Sequence, residues 1–384
     1  MSIYNKATLV QIPSGYKAAD AKLYSVLPNT ADGDFTVSAD ADATRVNKDG
    51  LVETTVANQA RLNYDPSNPQ DPHLLLEPTR TNYLTNSNNA SLWGVSTSNG
   101  TVTTTPNYST APNGSNEATR LQASVSGGSG FALLSKSTTS FFGDYSTFVY
   151  LKSNTGSNQE VCIYGRNTGN QVVTVTSEWQ KFELNGSSTS GQSNFVNVGV
   201  NLGFVGEDNP IDVLIWGGQI EAGSYATSLI PTVGSAVTRT ADTCQITGLE
   251  GSVMNGAIEA TLYVELEFKN ESNGDAMQWR SSTSNAGRAY FYATQMGFAD
   301  TYGANGVVTY GLTQNSRLKA AFRLNSLSNA TVFLNGVKGN TGNGNTWGDI
   351  GQLIFNATYW KMKIYQIQIY NEALSDAELI TLTS

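Results

Sequence analysis

The chain has 384 residues and a formal net charge of −9, with 22 Lys and Arg against 31 Asp and Glu. Its cations are not clustered, which excludes the electrostatic footprint of a DNA- or RNA-binding surface and argues against adhesion to anionic lipid. Charged residues make up only 14% and hydrophobic ones 39%, with 37 Gly and 10 Pro, so the polar surface comes from hydroxyls and amides, as in a turn-rich all-β protein. Aromatic residues at 10% exclude a disordered chain.

Residues 1–80 read as short strands around turns. Asp49-Gly50, between Val46 and Leu51-Val52, marks a tight turn, because Gly takes φ > 0 without steric penalty. The stretch Asp65-Pro-Ser-Asn-Pro-Gln-Asp-Pro72 reads as extended and irregular, a linker or an arm lying on a neighbour. Met1–Val10 lacks the uninterrupted apolar core of a secretory signal, and no segment approaches the roughly 20 apolar residues that span a bilayer. The expectation is a protein made in the cytoplasm, without membrane insertion.

Residues 81–250 carry short alternating runs separated by turn clusters: 101–105, 118–123, 147–152, 160–164, 171–176, 179–184, 196–202 and 211–216. This spacing predicts an antiparallel sandwich. Cys162, within Val161-Cys-Ile-Tyr164, reads as a small core residue, and a disulfide to Cys244 is left open.

Residues 251–384 predict a second sandwich. Ile258, Ala260, Leu262, Val264, Leu266 and Phe268 alternate on one face, which predicts a sheet with the other face wet. Asn335-Gly336 marks a hairpin within Ala330–Lys338. Ser375 with Glu378 forms a capping box that starts the one convincing helix. The fold class expected is all-β, with two β-sandwich (jelly-roll) domains in series after an N-terminal segment of residues 1–80.

The run Trp216-Gly-Gly-Gln-Ile-Glu-Ala-Gly-Ser-Tyr-Ala-Thr-Ser-Leu-Ile-Pro231 resembles the closing strand of carbohydrate-binding-module-like jelly rolls in structural proteins of tailed phages. Tyr83–Trp93, Tyr145–Lys152 and Val175–Phe182 resemble further elements of the same module. Thr44–Glu53 followed by Leu74-Leu-Leu-Glu-Pro-Thr-Arg-Thr-Asn82 resembles a leader that precedes such modules in tail and head-fibre proteins. The C-terminal hairpin, final strand and helix resemble a laminin-G-like, concanavalin-type sandwich. The resemblance implies a virion component that attaches to other virion proteins through residues 1–80, touches host surface glycan and assembles as a homotrimer.

Chemistry is sparse. His73 is the only histidine, beside prolines, and no nucleophile, metalloprotease or phosphate-loop motif accompanies it. A glycosidase needs two opposed carboxylates about 5–10 Å apart. Glu207, Asp208 and Asp212 flank Pro210, but sequence alone does not pair them. Jelly-roll binding modules often hold a structural calcium through oxygen ligands, which makes Asp208 and Asp212 the candidates, the alternative being solvated loop acids. No other cofactor is expected. Sugar recognition stacks apolar faces on aromatic rings. Trp216 and Trp179 sit in strand patterns and read as core, whereas Trp347, Trp93, Trp279 and Tyr302, near Gly, Asn and Ser, are the candidate platforms. The reading is a non-enzymatic virion surface protein. The alternatives are a glycan-degrading enzyme or its accessory module, and a capsid decoration or cement protein that binds no sugar.

Overall fold

The structure, a computed structural model, describes residues 3–13, 16–17, 22–39, 43–189, 191–281, 288–292, 295–299, 308–326, 329–343 and 350–384. Strands dominate throughout, and every strand pairing among these residues is antiparallel. The all-β expectation holds.

The first sandwich packs two five-stranded sheets. One runs in the order Gly94–Ser98, Phe131–Ser140, Ser193–Asn201, Gln159–Gly165, Gln171–Val175. The other runs Gly100–Ser109, Ala118–Val125, Ile211–Ala222, Gly143–Ser153, Gln180–Ser188. Alternation along Ala118–Val125 shows why these strands form: Leu121, Ala123 and Val125 face inward, while Arg120, Gln122 and Ser124 face out. The inward residues join Val149, Leu151, Ile163, Val198, Val213 and Ile215 in one core, and burying each large aliphatic side chain contributes about 1.5–3 kcal/mol. Gly94–Ser98 and Phe131–Ser140 go beyond the eight runs the sequence predicts. Ala132, Leu133 and Leu134 are buried consecutively, so period-2 reading misses that strand.

The second sandwich pairs an eight-stranded sheet, centred on Ala260–Asn270 and Trp360–Tyr370, with a nine-stranded sheet containing Thr243–Thr247, Gln352–Asn356 and Asp275–Arg280. Residues 1–80 supply strands to both. Leu9–Gln11 pairs with Ile367–Ile369, and Leu74–Leu76 pairs with Met362–Ile364. Phe35–Ser38 pairs with Thr243–Gln245. Leu9, Leu23, Phe35, Leu62 and Leu74 lie in the same core as Leu262, Phe322 and Ile367. The N-terminal segment is thus part of the second sandwich, and the jelly roll is inserted between its two parts. The expected separation at residue 80 is thus not seen: strands before it pair into the second sandwich, and Leu9, Leu23, Phe35, Leu62 and Leu74 are spent on its core.

Two local expectations also change. The Pro-punctuated stretch is a hairpin, Leu62–Asp65 against Asn68–Leu76, in which Asp65 opposes Asn68 and Asn63 opposes His73. Pro69 and Pro72 fall in its less buried first half, ahead of the residues paired to the central strand, where a missing N–H costs no central ladder bond. The sheet expected to keep a wet face is covered instead. Tyr263 packs with Phe333, Tyr370, Leu374 and Leu379 under the C-terminal helix Asp376–Thr383. That helix starts with the predicted capping box, Ser375 Oγ accepting from Glu378 N and the Glu378 carboxylate accepting from Ser375 N. Asn335 and Gly336 take φ of 49° and 77° between Asn329–Leu334 and Val337–Asn343, the left-handed pair that a two-residue hairpin turn requires.

Candidate functional site

One outer sheet face of the jelly roll is divided in two. Over half of it lies the hairpin Thr44–Val46/Val52–Thr54, predicted from Asp49-Gly50. Under the hairpin the sheet residues are Phe148, Tyr150, Leu214 and Trp216, packed with Val46, Val52 and Leu229. The rings interlock edge to face, Tyr150 lying 5.6 Å from Trp216 and 5.9 Å from Phe148. Trp179 packs on the same cluster and donates from Nε1 to Thr110 O at 3.2 Å. Both Trp216 and Trp179 serve the core, as expected.

The other half is open and polar. Thr101, Thr103, Gln122, Ser124, Gln159 and Asp212 line a groove of about 520 Å³. Strand register places them: Thr101 opposes Ser124, Thr103 opposes Gln122, and Gln122 opposes Asp212. Beside the groove, Arg120 donates to both Asp212 oxygens, at 2.8 Å from Nε and again from Nη2. Asn154 Nδ2 donates to Asp212 Oδ1 at 3.1 Å, and Gln122 Nε2 lies 3.4 Å from Oδ2. The Arg120 guanidinium holds the Asp212 carboxyl below its ordinary range. Gln159 bonds the Asp212 backbone on both sides, Nε2 to O at 2.9 Å and Oε1 from N at 2.8 Å. The half-exposed Tyr108 ring lies over the Arg120 guanidinium at 4.9 Å. The groove therefore offers fixed acceptors and donors side by side, with hydroxyls along its rim, a set that matches vicinal sugar hydroxyls. Among its described lining residues Asp212 is the only carboxylate.

Behind the covered half lies a buried polar joint. Glu77 accepts from Arg61 Nη1 at 2.6 Å, Arg239 Nη1 at 2.8 Å, Ser228 Oγ at 2.6 Å and Ser228 N at 2.8 Å. Asp242 accepts from Arg61 Nη2 and from Glu77 N. All four charged side chains are essentially inaccessible. The two arginines hold the Glu77 carboxyl well below its ordinary range against the opposing effect of burial. Next to it, Asn82 Nδ2 donates to Gly218 O and Ile230 O while Oδ1 accepts from Ile220 N. Gln219 Oε1 accepts from Ile230 N, and Glu221 accepts from Thr227 N and Oγ1. The stretches 74–82 and 216–231, singled out separately in the sequence, are thus each other's partners. Sequence reading missed this joint, although unusual polar residues within apolar runs were its visible signal.

The predicted site residues fare differently. Trp93 is buried, donates from Nε1 to Asn86 O at 3.1 Å, and lies where a Cβ on Gly218 would meet its ring at 2.6 Å. Trp279 is fully buried. Neither offers a face to a ligand: Trp93 is packed under Gly218, and Trp279 is a core residue within the paired strand Asp275–Arg280. Trp347 and Tyr302 lie outside the described residues. The expected calcium ligands are not brought together as a metal cluster. Asp212 is engaged by Arg120, Asp208 Oδ2 accepts from Glu160 N at 2.8 Å, and no group of three or more His, Cys, Asp or Glu fit for a metal occurs among the described residues. Glu207 Oε2 accepts from Asn201 N at 2.9 Å. His73 is buried against Tyr365, ring centroids 5.5 Å apart, with Asn63 Nδ2 at 3.2 Å from Nε2. Burial and neighbouring lysines pull it down to about 3. Cys162 and Cys244 are both free and buried.

No protein-family model matches the chain. No curated protein matches it. Partial likeness exists to solved structures. One is of botulinum neurotoxin type C, on cell entry through two ganglioside molecules: 10% identity, 37% of this chain, 39% of that chain, TM-score 0.32. Another is the carbohydrate-binding module of the Ruminococcus gnavus IT-sialidase bound to α2,3-sialyllactose: 15% identity, 33% of this chain, 84% of that chain, TM-score 0.27. A third is the heptameric pentraxin of Limulus polyphemus: 15% identity, 33% of this chain, 70% of that chain, TM-score 0.27. The chain spans about two fifths of the length of the neurotoxin structure. No residue role is carried across from any of these.

Proposed function

We propose that the protein is a non-enzymatic attachment component of a tailed-phage virion, whose jelly roll holds host-surface glycan in the open groove. The observation that carries the glycan reading is the uncovered half-face, where Asp212, Arg120, Gln122 and Asn154 hold one another in fixed orientation among threonines and a serine. Preorganised polar groups lose little freedom on binding, and this is how neutral saccharides gain affinity from many modest bonds. A single carboxylate clamped by a guanidinium is poorly suited to move protons, because it stays ionised; that supports binding over glycoside hydrolysis.

The virion part of the proposal rests on the resemblance of 74–82 and 216–231 to phage fibre modules, and so does the homotrimer. With much of residues 1–80 committed to the second sandwich, contact with other virion proteins falls to exposed surfaces of that sandwich. Glycan arrays with the purified protein, alongside adsorption to host cells, test the reading. Binding to a defined glycan that weakens about tenfold in Gln122→Ala supports it. Particle assembly that needs the protein while no glycan and no host cell is bound would turn the assignment to a cement role. Turnover of polysaccharide abolished in Asp212→Asn would turn it to an enzyme.

A further inference from the structure

Between the two sandwiches, next to the buried joint, lies a second cavity of about 150 Å³. Tyr150 and Lys181 reach it from the jelly roll, Arg45 from the hairpin over its sheet, and His73, Lys361 and Lys363 from the other sandwich. In a protein of net charge −9, this wall gathers four cations around one carboxylate, Glu77, which Arg61 and Arg239 already neutralise from behind. Lys361 Nζ lies 3.6 Å from the Glu77 carboxylate inside the cavity, whereas the acids paired with Arg45, Lys181 and Lys363, namely Glu53, Glu183 and Glu267, are not among the residues lining it.

The lysines are held together by the fold. Lys361 Nζ donates to Ala226 O at 2.8 Å and Lys181 Nζ to Thr227 O at 3.3 Å. These carbonyls belong to consecutive residues, so the two ammonium groups are pinned close to each other. Burial first, and then the Lys361 ammonium, pull Lys181 down to about 8 against the opposing carboxylates of Glu183, Glu221 and Glu77. An anion placed between them would relieve that repulsion. The Tyr150 hydroxyl makes no hydrogen bond to any described residue, leaving a donor free at the same cavity. The lysine side chains keep 21–31% of their exposure, so the cleft is reached from solvent.

We propose that this cleft binds an oxyanion carried on a saccharide, the carboxylate of an acidic sugar or the phosphate of a phosphorylated one, held by Lys181, Lys361, Lys363 and the Tyr150 hydroxyl. The proposal deepens the glycan reading and rests on it, adding a preference for acidic host glycans that the neutral groove does not supply. Ammonium groups suit either oxyanion as point charges. The volume accommodates the anionic group and the atoms that attach it.

The test is isothermal titration of the full chain with glucuronate, glucose, glucose 6-phosphate and inorganic phosphate. Lys363→Gln, Tyr150→Phe and the groove variant Gln122→Ala are compared with the parent, and thermal melting checks each fold. The expected result is at least tenfold tighter binding of glucuronate or glucose 6-phosphate than of glucose, lost about fivefold or more in Lys363→Gln and Tyr150→Phe and kept in Gln122→Ala. Glucuronate alone assigns the carboxylate, and glucose 6-phosphate alone assigns the phosphoester. Inorganic phosphate binding with no preference between charged and neutral sugars overturns the saccharide assignment. Equal binding of charged and neutral sugars, or a preference unchanged in both cleft variants, overturns the proposal while leaving the groove reading intact. Acidic-sugar binding lost only in the cleft variants, with no glycan bound on arrays at the groove, removes the groove reading instead.

Discussion

The two halves of one jelly-roll sheet face meet on a shared strand, Ile211–Ala222, and have opposite chemistry. Where the Thr44–Thr54 hairpin lies over the sheet, outward positions are Phe148, Tyr150, Leu214 and Trp216. Where no described residue lies over it, they are Thr101, Thr103, Gln122, Ser124 and Asp212. The strands do not dictate this division, because Leu214 and Asp212 are two residues apart on one strand and point the same way. What decides it is cover. An apolar outward residue is stable only if another element removes it from water, and a polar one is retained where it stays wet.

The comparison breaks most directly at Trp216. Trp216→Ala empties the covered half and is expected to cost about 3–5 kcal/mol in urea unfolding, whereas Thr103→Ala on the open half stays within about 0.5 kcal/mol. Equal costs would mean that the hairpin does not seal the sheet. Arg61→Met, at the joint behind the covered half, leaves Glu77 and Asp242 buried with less compensation and should also cost about 3–5 kcal/mol. The half-buried pair Arg120–Asp212, at the sheet surface and broken by Arg120→Met, should cost about 1 kcal/mol.

Acid sharpens the contrast further. The Glu77 carboxyl and His73 both titrate below their unfolded values, so the unfolded chain binds more protons as pH falls. Their stabilisation is complete above the unfolded His range near 6.5 and declines as pH drops from there towards about 3. For His73 the slope approaches about 1.4 kcal/mol per pH unit, and Glu77 adds to it below about 4.5. His73→Gln should flatten the upper part of that decline in pH-dependent denaturant midpoints, and an unchanged profile would show that His73 is not held neutral. The smallest effect on stability is expected from Gln122→Ala, under about 0.5 kcal/mol, although it weakens glycan about tenfold. A matching loss of melting temperature would mean that the open half is structural.

Much of the local structure was legible. Alternation gave the strands at 118–123 and 258–268, although Ile258 is exposed ahead of the observed strand Ala260–Asn270; Asn335-Gly336 gave its hairpin, Ser375 and Glu378 gave the helix start, and Cys162 read correctly as core. These signals are short-range: period 2, a left-handed turn and an i to i+3 cap are written within a few residues. The groove was legible only in part, since Asp212 was singled out and Arg120, Gln122 and Asn154 were passed over. Each is an unremarkable polar residue until strand register sets it beside the others. Trp93 and Trp279 are buried, contrary to expectation, because exposure near Gly and Asn is not a local property: Trp93 is roofed by Gly218, 125 positions further along.

By itself, then, the amino-acid order determined an all-β chain with two sandwiches, their turns and the single capped helix, because those depend on backbone preference and side-chain alternation. Only the tertiary structure decided that residues 1–80 complete the second sandwich and that 74–82 and 216–231 lock together. Glu77 meets Arg239 across 162 positions, and a buried ion's partner is chosen by desolvation at the place where the chain brings the two together, which no local pattern encodes.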